Sequence, residues 1–201
     1  MKKKIMALVL AATMAISAAS VYTVMAEEAT ATETTEAAAE EAPAAEAASD
    51  VLTLDWASAS EKIEAAGVEG DFVEFDDAGI KAWVPTGLKA MELDEQHSGK
   101  GYLAIYETED ELGKISFSYN ETQYNTPDSY KEFLEGAGAT EVGAAKVNGF
   151  DGLHYRFEDS DEGAVVIFVD DSHVFEVSVT PYSDSNFSAV GGMVFTSIQA
   201  K

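Results

Sequence analysis

Residues 152–158, 163–169 and 173–180 form three short runs with β-branched or aromatic side chains at alternate positions, separated by turns of Asp, Ser and Gly. A period of two puts successive side chains on opposite faces of a strand, and connections this short join antiparallel neighbours. Any fold for this chain must therefore accommodate a three-strand meander. Turn chemistry sets its expected register. A turn centred between Ser160 and Asp161 places Tyr155 opposite Val166, and a two-residue turn at Asp171 and Ser172 places Val177 opposite Val166 on its other side. Directly paired residues share a face. One side is then expected to carry Leu153, Tyr155, Phe157, Ala164, Val166, Phe168, Phe175, Val177 and Val179, all apolar or aromatic. A one-residue slip at either turn would mix that set with charge.

The opposite side holds Val165, Ile167 and Val169 between His154, Arg156, Glu158, Glu176, Ser178 and Thr180. Three aliphatic residues in a row need cover. Phe187, Val190, Gly191, Val194, Phe195 and Ile198 form a helical stripe suited to that task. Gly191 and Gly192 weaken such a helix by propensity yet permit close approach to a sheet.

The rest of residues 51–201 reads as one α+β domain. Asp55 caps a helix running to Ala66 with Trp56, Ala59 and Ile63 on one face and Gly67 as its stop. Residues 72–75 and 80–84 make a hairpin about Asp76, Asp77, Ala78 and Gly79, closed by Pro85. Residues 102–107 and 114–120 make a second, in which Ile115, Phe117 and Tyr119 alternate with Ser116, Ser118 and Asn120. Pro127 or Asp128 starts a helix with Tyr130, Phe133, Leu134 and Ala137 on its apolar side and Gly136 or Gly138 at its end. A weaker strand, 141–147, precedes the turn pair Asn148 and Gly149. No fixed-period repeat is present, which excludes a solenoid or propeller.

Upstream, Lys2, Lys3 and Lys4 precede an uncharged apolar run from Ile5 to about Val21, and small residues lead to Ala26. This is the pattern of a secretory signal over residues 1–26, with cleavage expected after Ala26; a retained signal-anchor is the other reading of the run. Residues 27–50 are Ala, Glu and Thr with eight acidic residues and no base, an acidic low-complexity linker without the apolar residues a fold needs. Loss of the three leading lysines takes the net charge from −25 to −28. Such a chain repels phosphate backbones and anionic lipid, so nucleic acid is excluded as a partner and no stable membrane insertion is expected after cleavage. Cationic or metal-bridged partners fit instead. Cysteine is absent, which removes disulfides, thiol chemistry and thiolate metal sites.

No catalytic, cofactor or metal constellation emerges. His97 lies in a polar loop, and the expected register keeps His154 and His173 about 14 Å apart, too far to share a zinc ion. Asp159, Asp161 and Glu162 alternate like calcium ligands, but Gly163 falls at the fifth loop position and Asp170 at the twelfth, so a hairpin turn with weak calcium affinity at most is expected. Gly136, Ala137 and Gly138 follow a helix rather than open one, unlike a phosphate loop. Tyr102, Tyr106, Tyr119, Tyr124 and Tyr130 offer either an aromatic platform or ordinary core positions.

The hairpin ending in Trp83, Val84 and Pro85, the helix opening at Pro127–Tyr130, the run from Val147 to Gly152 before the meander, and the closing helix together resemble the PsbP-like fold. That family joins the extrinsic PsbP subunit of photosystem II, a Ran-binding import factor and bacterial DcrB-type periplasmic proteins; exported proteins of gut Firmicutes are similar too. The resemblance implies an antiparallel sheet sandwiched by helices and a non-catalytic binding or accessory role, with no site residues carried over. The function expected is a secreted binding domain for an envelope or extracellular protein or polymer. A carboxylate-based hydrolase and a weak calcium-binding surface protein are the alternatives.

Overall fold

The computed structural model describes residues 51–201; the expected signal 1–26 and linker 27–50 lie outside the described residues. The chain opens with β1 (Leu52–Leu54) and α1 (Trp56–Ala65), whose first turn is capped by the Asp55 carboxylate accepting from the Ala57 N–H. Next, β2 (Gly70–Phe75) and β3 (Ile80–Pro85) pair about a 3₁₀ turn, Asp76–Ala78, which Gly79 leaves at φ 63°. Then come β4 (Lys89–Ala90), α2 (Glu95–Ser98), β5 (Tyr102–Glu107), β6 (Lys114–Glu121) and α3 (Pro127–Gly136). The chain continues through β7 (Thr140–Val147), β8 (Phe150–Phe157), β9 (Glu162–Phe168), β10 (His173–Thr180), α4 (Ser185–Ser197) and β11 (Gln199–Ala200).

Eight strands form one sheet in the order β1-β7-β8-β9-β10-β6-β5-β4, antiparallel except for the β1–β7 edge pair. A smaller antiparallel sheet has the order β11-β3-β2. The fold class is thus α+β, with helices flanking a largely antiparallel sheet. No helix among the described residues is long and apolar enough to cross a membrane.

Each face of the large sheet has its own cover. On one face Ile115, Phe117, Val165, Ile167, Phe175 and Val177 are fully buried beneath the small sheet and α4, which contribute Phe75, Ile80, Val194 and Ile198. Phe75 stacks on Phe117 at 4.9 Å and meets Phe175 at 5.3 Å. Side chains of this size stabilise by about 1.5–3 kcal/mol each when fully buried. On the other face Leu153, Tyr155, Ala164, Val166 and Val174 pack against Tyr130 and Leu134 of α3. The closing helix therefore lies, with the small sheet, on the face that carries Val165 and Ile167, a choice of face that its apolar stripe alone left open.

The meander keeps one half of its expected register and loses the other. Leu153 pairs with Val166 and Tyr155 with Ala164, two residues from expectation, so the face is unchanged. On the far side Val177 pairs with Val165, and Glu176 takes the place opposite Val166. The cause is the turn. Val169 N–H donates to the His173 carbonyl at 3.0 Å, enclosing three residues, Asp170 to Ser172, rather than two. One extra residue reverses every side chain that follows. Phe175, Val177 and Val179 thus join Ile115 and Phe117 under the small sheet, while Glu176 and Ser178 move to the α3 side.

Asn148 ties three elements together. Its backbone adopts φ 45° in the turn to Gly149, and its N–H donates to the Leu54 carbonyl at 2.9 Å. Its side-chain oxygen accepts from the Trp56 N–H at 2.8 Å, and its amide donates to the Thr196 and Ile198 carbonyls, both at 2.7 Å. These bonds join β1, the start of α1 and the end of α4 to the β7–β8 hairpin. Asn148→Ala is expected to cost about 2–4 kcal/mol, and Asn148→Gly less, because glycine accepts the positive φ without strain. Urea denaturation of both variants checks the order.

Adjacent glycines of α4 do different jobs. A Cβ on Gly191 would lie 2.7 Å from a methyl of Val179, whereas one on Gly192 would meet nothing within 4 Å. Gly192→Ala should therefore stabilise by about 0.5–1 kcal/mol and Gly191→Ala destabilise by about 1–3 kcal/mol. Thermal melts of the two variants read opposite shifts.

Candidate functional site

The reversed face of β10 creates a polar patch. α3 rests on β7 and β8, and the face beyond it continues across β10, β6 and β5. The pairing places Tyr102, Ser118, Glu176 and Val166 in one row, with Ser116, Ser178 and Ala164 in the next. Ser118 and Ser178 are buried, while Tyr102, Ser116 and Glu176 are half-buried. Tyr155 reaches diagonally over the small Ala164 and its hydroxyl donates to the Glu176 carboxylate.

Burial chiefly pushes the Glu176 carboxyl up to about 7; the Tyr155 hydroxyl opposes this and the charge of Glu162 adds to it. Burial also raises Glu162. The Tyr155 phenol is held far above its ordinary range by burial and then by the Glu176 charge, and Tyr130 is raised for the same two reasons. Tyr102 is raised by burial, with Glu162 and Glu176 contributing. The patch is therefore a set of protonated phenols and hydroxyls around one carboxyl that titrates near neutrality.

A groove of about 720 Å³ adjoins it, lined by Asn120, Gln123, Tyr124, Tyr130, Phe133 and Val174 among others. Thr126 caps α3 by accepting from the Ser129 N–H, and Pro127 follows it at the first turn. That start fixes which side of α3 faces the sheet. Tyr130 and Leu134 are buried, but Phe133, expected in the same stripe, is 43% exposed at its edge. Tyr124 stacks on Phe133 at 4.8 Å and 18°, and Tyr130 meets it edge-on at 5.6 Å.

The five tyrosines weighed as a platform divide. Tyr106 and Tyr119 pack with the core beneath the small sheet, whereas Tyr124 and Tyr130 flank the groove and Tyr102 the polar patch. His97 lies 2.7 Å from Asp94 on α2. His154 packs over Gly143, and burial depresses its pKa although Glu141 opposes this. His173 stacks on Tyr119 at 5.0 Å and contacts Asp170 at 3.0 Å. With the revised register His154 and His173 are two strands and four residues apart, about 16 Å. No three His, Asp or Glu side chains among the described residues converge as a metal site would require.

The acidic turns hold the chain's own donors. Asp161, at φ 50°, accepts from the N–H and hydroxyl of Ser183 at 2.8 and 2.5 Å, tying the β8–β9 turn to the segment before α4. Asp170 accepts from the Ser172 N–H at 2.7 Å; that bond, followed by the His173 side chain, lowers its pKa to about 2. The sequence reading missed the Tyr155–Glu176 pair. Its only signal was a lone carboxylate among the alternating apolar residues of β10.

No family model matches the chain, and no curated protein matches it. Among solved structures it is similar to cyanobacterial PsbP (CyanoP) from Synechocystis sp., with 12% identity, 67% of this chain and 94% of that one covered, and a TM-score of 0.47. A crystal structure from Bacteroides thetaiotaomicron has 16% identity and a TM-score of 0.44 over 66% of this chain and 48% of that one, so the match spans about half of that protein's length. The Saccharomyces cerevisiae Ran-binding protein Mog1p has 13% identity and a TM-score of 0.39 over 66% and 96% of the two chains. A PsbP and a Ran-binding protein are thus both among the chain's structural neighbours, as the resemblance implied. Likeness at this level concerns the arrangement of strands and helices.

Glu176 gives the fold a signed pH dependence. Its pKa rises from an ordinary 4.5 to about 7, so the native state binds more protons in that interval. The stability it contributes is complete below pH 4.5 and is lost as pH rises through 7. Glu176→Gln still accepts from Tyr155 and carries no charge. Relative to this variant, the parent chain should lose about 1–3 kcal/mol between pH 5 and pH 8. Urea denaturation at both pH values measures the difference, and parallel profiles would contradict it.

Proposed function

We propose that this chain is an exported, non-catalytic binding or accessory domain that recognises a cationic component of the envelope or extracellular space. Residues 1–26 support export, and the expected mature charge of −28 favours a basic partner. The observation that carries the reading is the polar patch of Glu176, Tyr102 and Ser118 continuing into an aromatic groove on a face that α3 covers in part.

The hydrolase alternative needs two carboxyls facing each other across a cleft. Glu162 and Glu176 instead project from one side of one sheet, and Glu162 stands four residues along β9 from the partner of Glu176, which puts the two about 14 Å apart in the backbone. They share a floor.

Two measurements test the proposal. Mass spectrometry of the native protein should find Glu27 at its N-terminus. The purified chain, immobilised and exposed to envelope proteins and wall polymers, should retain a basic component at low salt and release it as ionic strength rises past about 0.5 M. Retention of nothing at low and moderate salt would count against a binding role.

A further inference from the structure

The groove and the patch meet at β10, and their combined chemistry selects a ligand. The groove has aromatic walls, Tyr124 stacked on Phe133 and Tyr130 edge-on beside them, and Val174 on its floor. Glu176 follows two residues along the same face of β10, about 7 Å beyond Val174. Tyr130 belongs to both, for it lines the groove and feels the Glu176 charge.

A purely apolar ligand would fill the walls and leave the ionised Glu176, held by the Tyr155 hydroxyl alone, without a countercharge. A bare metal ion would use the carboxylate and leave the rings idle. An ammonium on an alkyl stem uses both: the stem lies along ring faces and Val174, the rings attract the cation, and the head approaches the carboxylate. The net charge of −25, with Glu121 on the rim, favours a basic segment over a neutral one.

We infer that the groove between α3 and β10 receives a lysine side chain of a partner polypeptide, with its stem against Tyr130 and Phe133 and its ammonium directed at Glu176. This rests on the binding role proposed above and specifies its site. Tyr155 from β8 contacts Glu176, and Glu162 from β9, Tyr130 from α3 and Tyr102 from β5 are near enough to couple with it electrostatically. The phenols stay protonated at neutral pH, so the affinity should rise between pH 6 and pH 8 as Glu176 ionises.

The test titrates the full chain by calorimetry with a blocked glycine peptide bearing one central lysine, with its Nε-acetylated twin, and with an oligomer of N-acetylglucosamine. The lysine peptide should bind, its acetylated twin should bind at least tenfold more weakly, and the sugar should not compete. Phe133→Ala and Glu176→Gln should each weaken the lysine peptide by roughly tenfold. Unchanged circular dichroism and melting of the exposed Phe133→Ala chain would show that the loss is not unfolding. Equal binding of the acetylated twin, displacement by the sugar, or full affinity in both variants would each overturn the inference. An envelope component still retained by both variants would leave the binding role standing and remove the lysine groove. Loss of that component along with the peptide would support both.

Discussion

One backbone hydrogen bond, from Val169 N–H to the His173 carbonyl, decides which way β10 faces. It closes a turn of three residues, and Asp170 holds that turn by accepting from Ser172 and lying against His173. Because the Asp170 carboxyl stays ionised down to about pH 2, this support is present at any ordinary pH. Everything downstream in β10 follows from it. Phe175, Val177 and Val179 enter the core that the small sheet and α4 complete, and Glu176 is left to the other side.

The two faces of the large sheet thereby acquire different characters. One is dry and aromatic, with Phe75, Phe117 and Phe175 in mutual contact. The other is dry only where α3 rests on it, and becomes polar toward β6 and β5. A cysteine-free chain must hold such an arrangement without covalent ties, and Asn148 serves as a non-covalent one. Its side chain joins segments 92 and about 50 residues away in sequence.

Elements governed by local chemistry were legible in the sequence. Asp55 caps its helix, Asn148 and Gly149 make their turn, and Ile115 and Phe117 point inward as their alternation required. The β8–β9 register was off by two residues, which a period of two forgives. The β9–β10 register was off by one, which it does not. Asp170, Asp171 and Ser172 are all good turn formers, so composition alone cannot separate a two-residue loop from a three-residue one. The parallel β1–β7 pair was also invisible, since three residues carry little pattern and Asn148 fixes the strand from a distance. The Tyr155–Glu176 contact depends on the register, so it could not be read before the turn was known.

The outermost strands of the large sheet are its shortest. β1 has three residues and β4 two, so a foreign extended chain arriving at either margin finds only a few unsatisfied amides to zip onto. In the small sheet β11 is equally brief, and the longer β2 carries Asp71 and Glu74 along its length. Self-templated growth into fibrils is thereby starved at three margins and repelled by charge at the fourth. A crowded population of these molecules can keep its flat interior to itself.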